Sequence, residues 1–361
     1  MSLRSENTKL NMIWTPISLR TRLLSLLVWL PFACNMANAE SAKLILPTEN
    51  DGLLTGHFAE FYQYVQRDFE GQVTQPWEGG QYGFVRDPRR FGSQVIYTRF
   101  HEGMDIRPLH RDSAGEPEDI IHAIAAGTVV YTNPVAGNSN YGRYVVIEHH
   151  LDGFPYYSLY AHLKTISANI GDVVNQGSPI AIMGHTGEGI DRERAHVHLE
   201  LNLLLNSHFS DWYQHHHAAD VDRHGIYNGI NLAGIDIGRF YLELQKDPDL
   251  TVAAFVQRGE PWYRVLVPVS PRMDLTERYS WLLEGDADAP ACEISFDRTG
   301  LPLKVRASNE HPTQPTVVWV HSSPIPQHLL TKGFIRNQGS DYVLSEPGKQ
   351  YINLVCGLEP R

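Results

Sequence analysis

Between about residue 93 and residue 205, short apolar stretches alternate with polar ones, and glycine punctuates them. Segments 128–131, 144–148, 157–163, 179–183 and 196–203 each read as strands, with Gly127, Gly137, Gly142, Gly153, Gly171, Gly177, Gly184, Gly187 and Gly189 at or between their ends. Short strands with frequent turns predict antiparallel pairing, not alternating βαβ units. Upstream, Phe58, Phe61, Tyr62 and Val65 fall at helical spacing, which predicts one short amphipathic helix in an N-terminal extension (40–92) that packs on the core. Residues 206–251 are polar and hold His208, His215, His216, His217 and His224. They read as an insert or linker, and the triple histidine as a solvated cluster. Beyond residue 252, apolar runs at 265–269, 316–320 and 351–355 are separated by Pro- and Asp-rich loops. The expected fold is mostly β: a small antiparallel β-sheet or β-sandwich-like core over 93–205 with few helices, plus a smaller C-terminal β-rich domain over 252–361.

The first 39 residues do not fit that pattern. Arg4, Lys9, Arg20 and Arg22 precede an apolar stretch at 23–33, followed by Ala37-Asn38-Ala39. This is the order of an export signal cleaved before Glu40. The stretch is about half the ~20 residues a membrane helix needs, and Pro31 interrupts it. The expected mature chain is therefore periplasmic or secreted, with no transmembrane segment. Removing four basic residues and Glu6 takes the net charge from −11 to −11 − 3 = −14. No basic field is available to hold nucleic acid. Only Cys292 and Cys356 would remain, and an even pair in an exported chain predicts one disulfide. Over 361 residues, 42% hydrophobic and 20% charged is a globular composition, with length for about two domains.

Eighteen histidines direct attention to metal chemistry. In His196-Val197-His198-Leu199-Glu200-Leu201, strand alternation puts His196, His198 and Glu200 on one face and the aliphatic residues on the other. In His101-Glu102-Gly103-Met104-Asp105, an imidazole and a carboxylate four positions apart can converge, because Gly103 permits a tight backbone path. His101, Asp105 and one histidine of the pair give the three protein ligands of a catalytic zinc site with one open position. His162 lies in an apolar strand and is an acid–base candidate. Glu102, His110, His149 and His185 are further candidates for the groove. No His-Glu-x-x-His helix, Gly-x-Ser-x-Gly elbow or Walker loop is present.

The order and spacing of these pieces resemble the lysostaphin-type (LytM-like) zinc metalloendopeptidases that cut peptidoglycan cross-bridges. The resemblance rests on His101/Asp105, Tyr160-Ala161-His162-Leu163 and His196/His198 with Glu200, and on the stretches 126–130, 141–149, 171–177 and 180–184. It covers about residues 95–205. Ala195 stands where the family usually has proline, and loop 187–194 is more charged than the family's. The resemblance implies that His101, Asp105 and His198 bind one Zn²⁺ per chain. It implies that His162 and His196 move protons, in an order it leaves open, and that the substrate is the peptide stems of the cell wall. Two alternatives stand beside it: a silent family member that activates another wall hydrolase, and a zinc peptidase acting on another extracellular peptide.

Overall fold

The computed structural model describes residues 43–64, 68–73 and 76–358, which belong to one compact unit. The expected export signal lies outside the described residues. Among them, no helix is long and apolar enough to cross a membrane.

A seven-stranded sheet carries the site. Its order is Val173–Val174, Gly127–Asn133, Tyr144–Leu151, Phe154–Ala161, Val197–Leu204 and Leu232–Ile235, with Met104–Ile106 also pairing with Val197–Leu204. All these pairs are antiparallel. The period-2 pattern explains the layering. Val145, Ile147, Tyr160, Val197, Leu199 and Leu201 point into the main core. Val146, Tyr157, Leu159 and Ala161 pack a second cluster on the other face with Tyr144 and Leu232. Each fully buried aliphatic side chain here contributes about 1.5–3 kcal/mol. Pro179–Ile182 belongs to a separate three-stranded sheet with Ile120–His122 and Thr165–Ile166. A long hairpin, Gly83–Phe91 and Gln94–His101, leads directly into the sheet.

The C-terminal region contributes a five-stranded sheet built around Tyr263–Val267, Ala291–Phe296, Pro302–Ser308 and Thr316–Val320. Its apolar residues join the same buried cluster as the main sheet. Three segments differ from expectation. The run at 351–355 lies in a helix, Glu346–Cys356, capped by Ser345, whose side chain accepts from Gly348 N, and closed by left-handed Gly357. A short apolar run does not by itself separate helix from strand, and the caps decide it. The polar stretch after 205 forms the helices Phe209–His216 and Ile237–Leu244 around the strand Leu232–Ile235. The expected amphipathic helix is a single turn, Phe58–Phe61, because Tyr62 turns extended and bridges Ile106. Val65 is outside the described residues.

The expected disulfide is not formed. Cys292 and Cys356 are both free and buried, inside the apolar cluster where thiols pack as small hydrophobes. Burial raises the Cys292 thiol to about 12. Burial, reinforced by Cys292, raises Cys356 as well. Both thiols should therefore resist alkylation in the folded protein and react after unfolding without reductant. Thiols that appear only after reduction would restore the bond.

His149 is fully buried. Its Nδ1 donates to Ala126 O (2.9 Å) and its Nε2 meets Ser158 Oγ (2.7 Å). Burial lowers its pKa to about 4, while in the unfolded chain it titrates near the ordinary value of about 6.5. Between those values the unfolded state binds more protons, so stability falls as pH falls through this window, by roughly 3 kcal/mol at most. Urea titrations at pH 7 and 4.5 should show His149→Gln losing less stability on acidification than the parent. Equal losses would remove His149 as the cause.

Candidate metal centre

Strand register brings the candidate ligands together. Asp105 and His198 are direct cross-strand partners, and Ala161 faces His198 from the other side. His196 sits one residue before the strand and bridges Gly184. His101 ends the long hairpin, opposite Gly83. Gly103 lies so close to the central strand that a Cβ there would meet Leu199 O at 2.3 Å and Glu200 Cγ at 2.8 Å. A side chain at this position would push the His101–Asp105 segment off the sheet.

His162 reaches the site by a different route from the expected one. The strand ends at Ala161, and His162 is left-handed, with φ 62°. Continued alternation would have sent its ring to the face opposite Ala161 and His198. The left-handed residue breaks the alternation and brings the imidazole to within 4.7 Å of the His196 ring, centroid to centroid, and 5.9 Å of His198. A non-glycine residue in this conformation costs about 1–2 kcal/mol, a strain common at functional sites.

The centre itself is three acceptor atoms. His101 Nε2 is 3.0 Å from His198 Nδ1 and 3.1 Å from Asp105 Oδ1, and His198 Nδ1 is 2.9 Å from the same oxygen. The outer nitrogens settle the tautomers. His101 Nδ1 faces the Gln81 carbonyl at 2.7 Å, and His198 Nε2 faces Glu200 Oε1 at 2.8 Å. A carbonyl and a carboxylate only accept, so both outer nitrogens carry hydrogens, and in the neutral rings that a metal requires both inner nitrogens are bare. Three lone pairs then converge in a buried pocket. Tetrahedral zinc with bonds of about 2.0–2.1 Å needs ligand atoms about 3.3 Å apart. Two imidazole nitrogens and one carboxylate oxygen at these spacings fit that ion.

The surroundings hold this triangle in place. Arg86 donates to Asp105 Oδ2 at 2.6 Å. Burial would raise the Asp105 carboxyl, but His101, His196 and Arg86 hold it well below the carboxylate range. Glu200 also accepts from Tyr141 Oη (2.7 Å) and Asn202 Nδ2 (2.9 Å). Burial alone would lower His198, but hydrogen bonds to Asp105 and Glu200 raise it to about 10. Burial lowers His101 and, together with its histidine neighbours, His162 well below its ordinary value.

The two remaining histidines present bare nitrogens of their own. His162 Nδ1 donates to Thr186 O (2.8 Å) and His196 Nδ1 to Arg194 O (2.6 Å), so each Nε2 is an acceptor. His196 Nε2 lies 3.4 Å from Asp105 Oδ1. The centre opens on a groove of about 1040 Å³, whose lining includes Tyr97, Arg99, Tyr141, Arg194, Lys332 and Tyr351. Of the four further candidates only Glu102 lines it. His110 faces Glu49, His185 faces Glu116, and His149 is in the core. Sequence reasoning gave no role to Arg86, Gln81, Tyr141 or Asn202. Strand alternation from His198 would have found Asn202, but the others depend on hairpin and loop placement.

The sequence profile of Peptidase family M23 matches residues 99–221, a span that holds all five candidate residues. The chain has no match among curated proteins. Among solved structures it is similar to the catalytic domain of the antimicrobial peptidase lysostaphin from Staphylococcus simulans (24% identity, 34% of this chain and 75% of that one, TM-score 0.24). It is also similar to the catalytic domain of the prophage-encoded M23 protein EnpA from Enterococcus faecalis (22%, 40% and 86%, 0.25). A third is a zinc-containing peptidase from Vibrio cholerae (24%, 37% and 41%, 0.22). Residues 99–221 are thus a Peptidase family M23 domain, in keeping with the lysostaphin-type (LytM-like) resemblance of the motifs.

Proposed function

We propose that this chain is an exported zinc endopeptidase that hydrolyses peptide cross-bridges of bacterial cell-wall peptidoglycan. In this reading residues 93–205 are the metallopeptidase core. The observation that carries it is the convergence of three bare acceptors, His101 Nε2, Asp105 Oδ1 and His198 Nδ1, at the floor of an open groove. The family resemblance supports peptide stems as the substrate.

His101, Asp105 and His198 would hold one zinc. When bound, the ion supplies a Lewis acid that polarises a carbonyl and makes water acidic near neutral pH. The remaining chemistry belongs to side chains. His162 and His196 each have Nδ1 fixed to a backbone carbonyl, so each can accept a proton at Nε2 and return it to a leaving amine. Glu200 and Gln81 hold the ligand rings in the tautomer that leaves the inner nitrogens bare. Arg86 holds the second Asp105 oxygen, which keeps the carboxylate oriented.

Metal analysis beside cleavage of purified murein tests the assignment. His101→Ala and Asp105→Ala should carry little zinc and show no cleavage. His162→Ala and His196→Ala should keep zinc yet lose about two to four orders of magnitude in rate. Loss of zinc in His196→Ala with retention in His198→Ala would reverse the ligand assignment. Glu200→Gln should bind zinc about 10–100-fold more weakly, because the amide no longer fixes the His198 tautomer. Mass spectra of the released fragments identify the bond cut. A zinc-loaded protein that cuts no cross-bridge but stimulates a separate wall hydrolase would replace the enzyme with a regulator.

A further inference from the structure

The groove is not lined by the peptidase segment alone. Thr299, Leu301, Lys332, Phe334 and Tyr351, all C-terminal to residue 252, form part of its wall. Lys332 stands out among them on three independent counts.

Its backbone is left-handed, with φ 53°. Lysine has no short polar side chain to compensate that conformation, as Asn and Asp do, so the position is strained. Its Nζ lies 4.7 Å from the centroid of Phe100, the residue before His101, and 5.7 Å from that of Phe334. The ammonium is thus held over aromatic faces in the groove that the metal centre also lines. Finally, its side chain has no hydrogen bond or ion pair among the described residues. Two of the neighbouring carboxylates are engaged by other donors. Glu200 accepts from His198, Tyr141 and Asn202, and Asp297 accepts from Thr299 N, Thr299 Oγ1 and Leu301 N. Glu102 lies in the same groove and forms no ion pair with Lys332.

We propose that Lys332 is the seat of a carboxylate-binding subsite, through which the C-terminal region selects peptides carrying a free carboxylate near the scissile bond. This deepens the peptidase reading and rests on it. A carboxylate is the ligand that this exposed ammonium lacks, held on an aromatic wall with no ion pair among the described residues: it supplies the opposite charge and the acceptors for three N–H groups. The carboxylate can come from the peptide's C-terminus or from an acidic side chain of the stem. Those two sources share the same recognition chemistry.

The test uses the full chain and three versions of one defined stem peptide: free acid, C-terminal amide and side-chain amide. With the zinc-loaded protein, one amide should lower kcat/KM about tenfold to a hundredfold, chiefly through KM. That amide identifies the source. Lys332→Met should lower kcat/KM on the free acid by the same factor and treat acid and amide alike. Lys332→Gly should lose the same preference while unfolding at a higher denaturant concentration than the parent, because glycine relieves the left-handed strain. A lysine with a purely structural role would move stability and leave the acid-over-amide preference intact. Calorimetric binding of the same peptides to metal-free protein separates this proposal from the peptidase reading. If the parent cuts no peptide yet binds acid over amide, and Lys332→Met binds them equally, the subsite stands without the peptidase. If the parent discriminates neither in cleavage nor in binding, or Lys332→Met keeps the discrimination, the subsite is wrong.

Discussion

The centre is governed by one electrostatic constraint. His101 Nε2, His198 Nδ1 and Asp105 Oδ1 stand 2.9–3.1 Å apart, with no hydrogen among them when both rings are neutral and the outer nitrogens donate. Buried lone pairs this close repel unless a positive charge sits between them. The protein does not supply that charge from its own side chains inside the triangle. Arg86 approaches Asp105 from outside, on the other oxygen. It lowers the cost of burying the carboxylate without filling the space the three acceptors share. The arrangement is therefore complementary to a small cation.

The backbone makes that convergence possible in two ways. Antiparallel register sets Asp105, His198 and Ala161 side by side across three strands, so the spacing of Asp105 and His198 is fixed by ladder hydrogen bonds, while His101 arrives from the end of the hairpin. His162 needs the opposite device, an interruption of the ladder. Its φ of 62° turns a ring that alternation would bury in the main core toward the groove. The site thus combines two kinds of precision: regular pairing for the metal-facing atoms, and a local irregularity for the imidazole that faces them.

These origins explain what the sequence made legible. Period-2 alternation fixed the faces of the 196–201 segment, and the short spacing around Gly103 foretold the approach of His101 to Asp105, because both are local. The strands of the core were legible for the same reason. The helix at Glu346–Cys356 was not, since an apolar run of five residues fits either period and only Ser345 and Gly357 at its ends distinguish them. Arg86 was invisible because it reaches Asp105 only through the bulged register of a hairpin, shifted between Phe84 and Arg86. The Cys292–Cys356 expectation came from counting and compartment alone. Neither carries information about packing, and the core accommodates both residues as thiols.

The M23 segment ends at residue 221, yet the groove does not. The metal-facing atoms all come from within that segment, whereas Arg86 and Lys332 come from before and after it. In the proposed reading, hydrolysis would need only the triangle and the two imidazoles at the strand ends. Choosing among peptides requires charge placed away from the triangle. Otherwise, a cation added near Asp105 would compete for the carboxylate that the metal site depends on. Arg86 illustrates the limit, since it is already committed to Asp105. Arg99 and Arg194 also line the groove, and the left-handed turn at Lys332, over Phe100, adds a cation to the wall from outside the M23 segment without an ion pair to the candidate ligands.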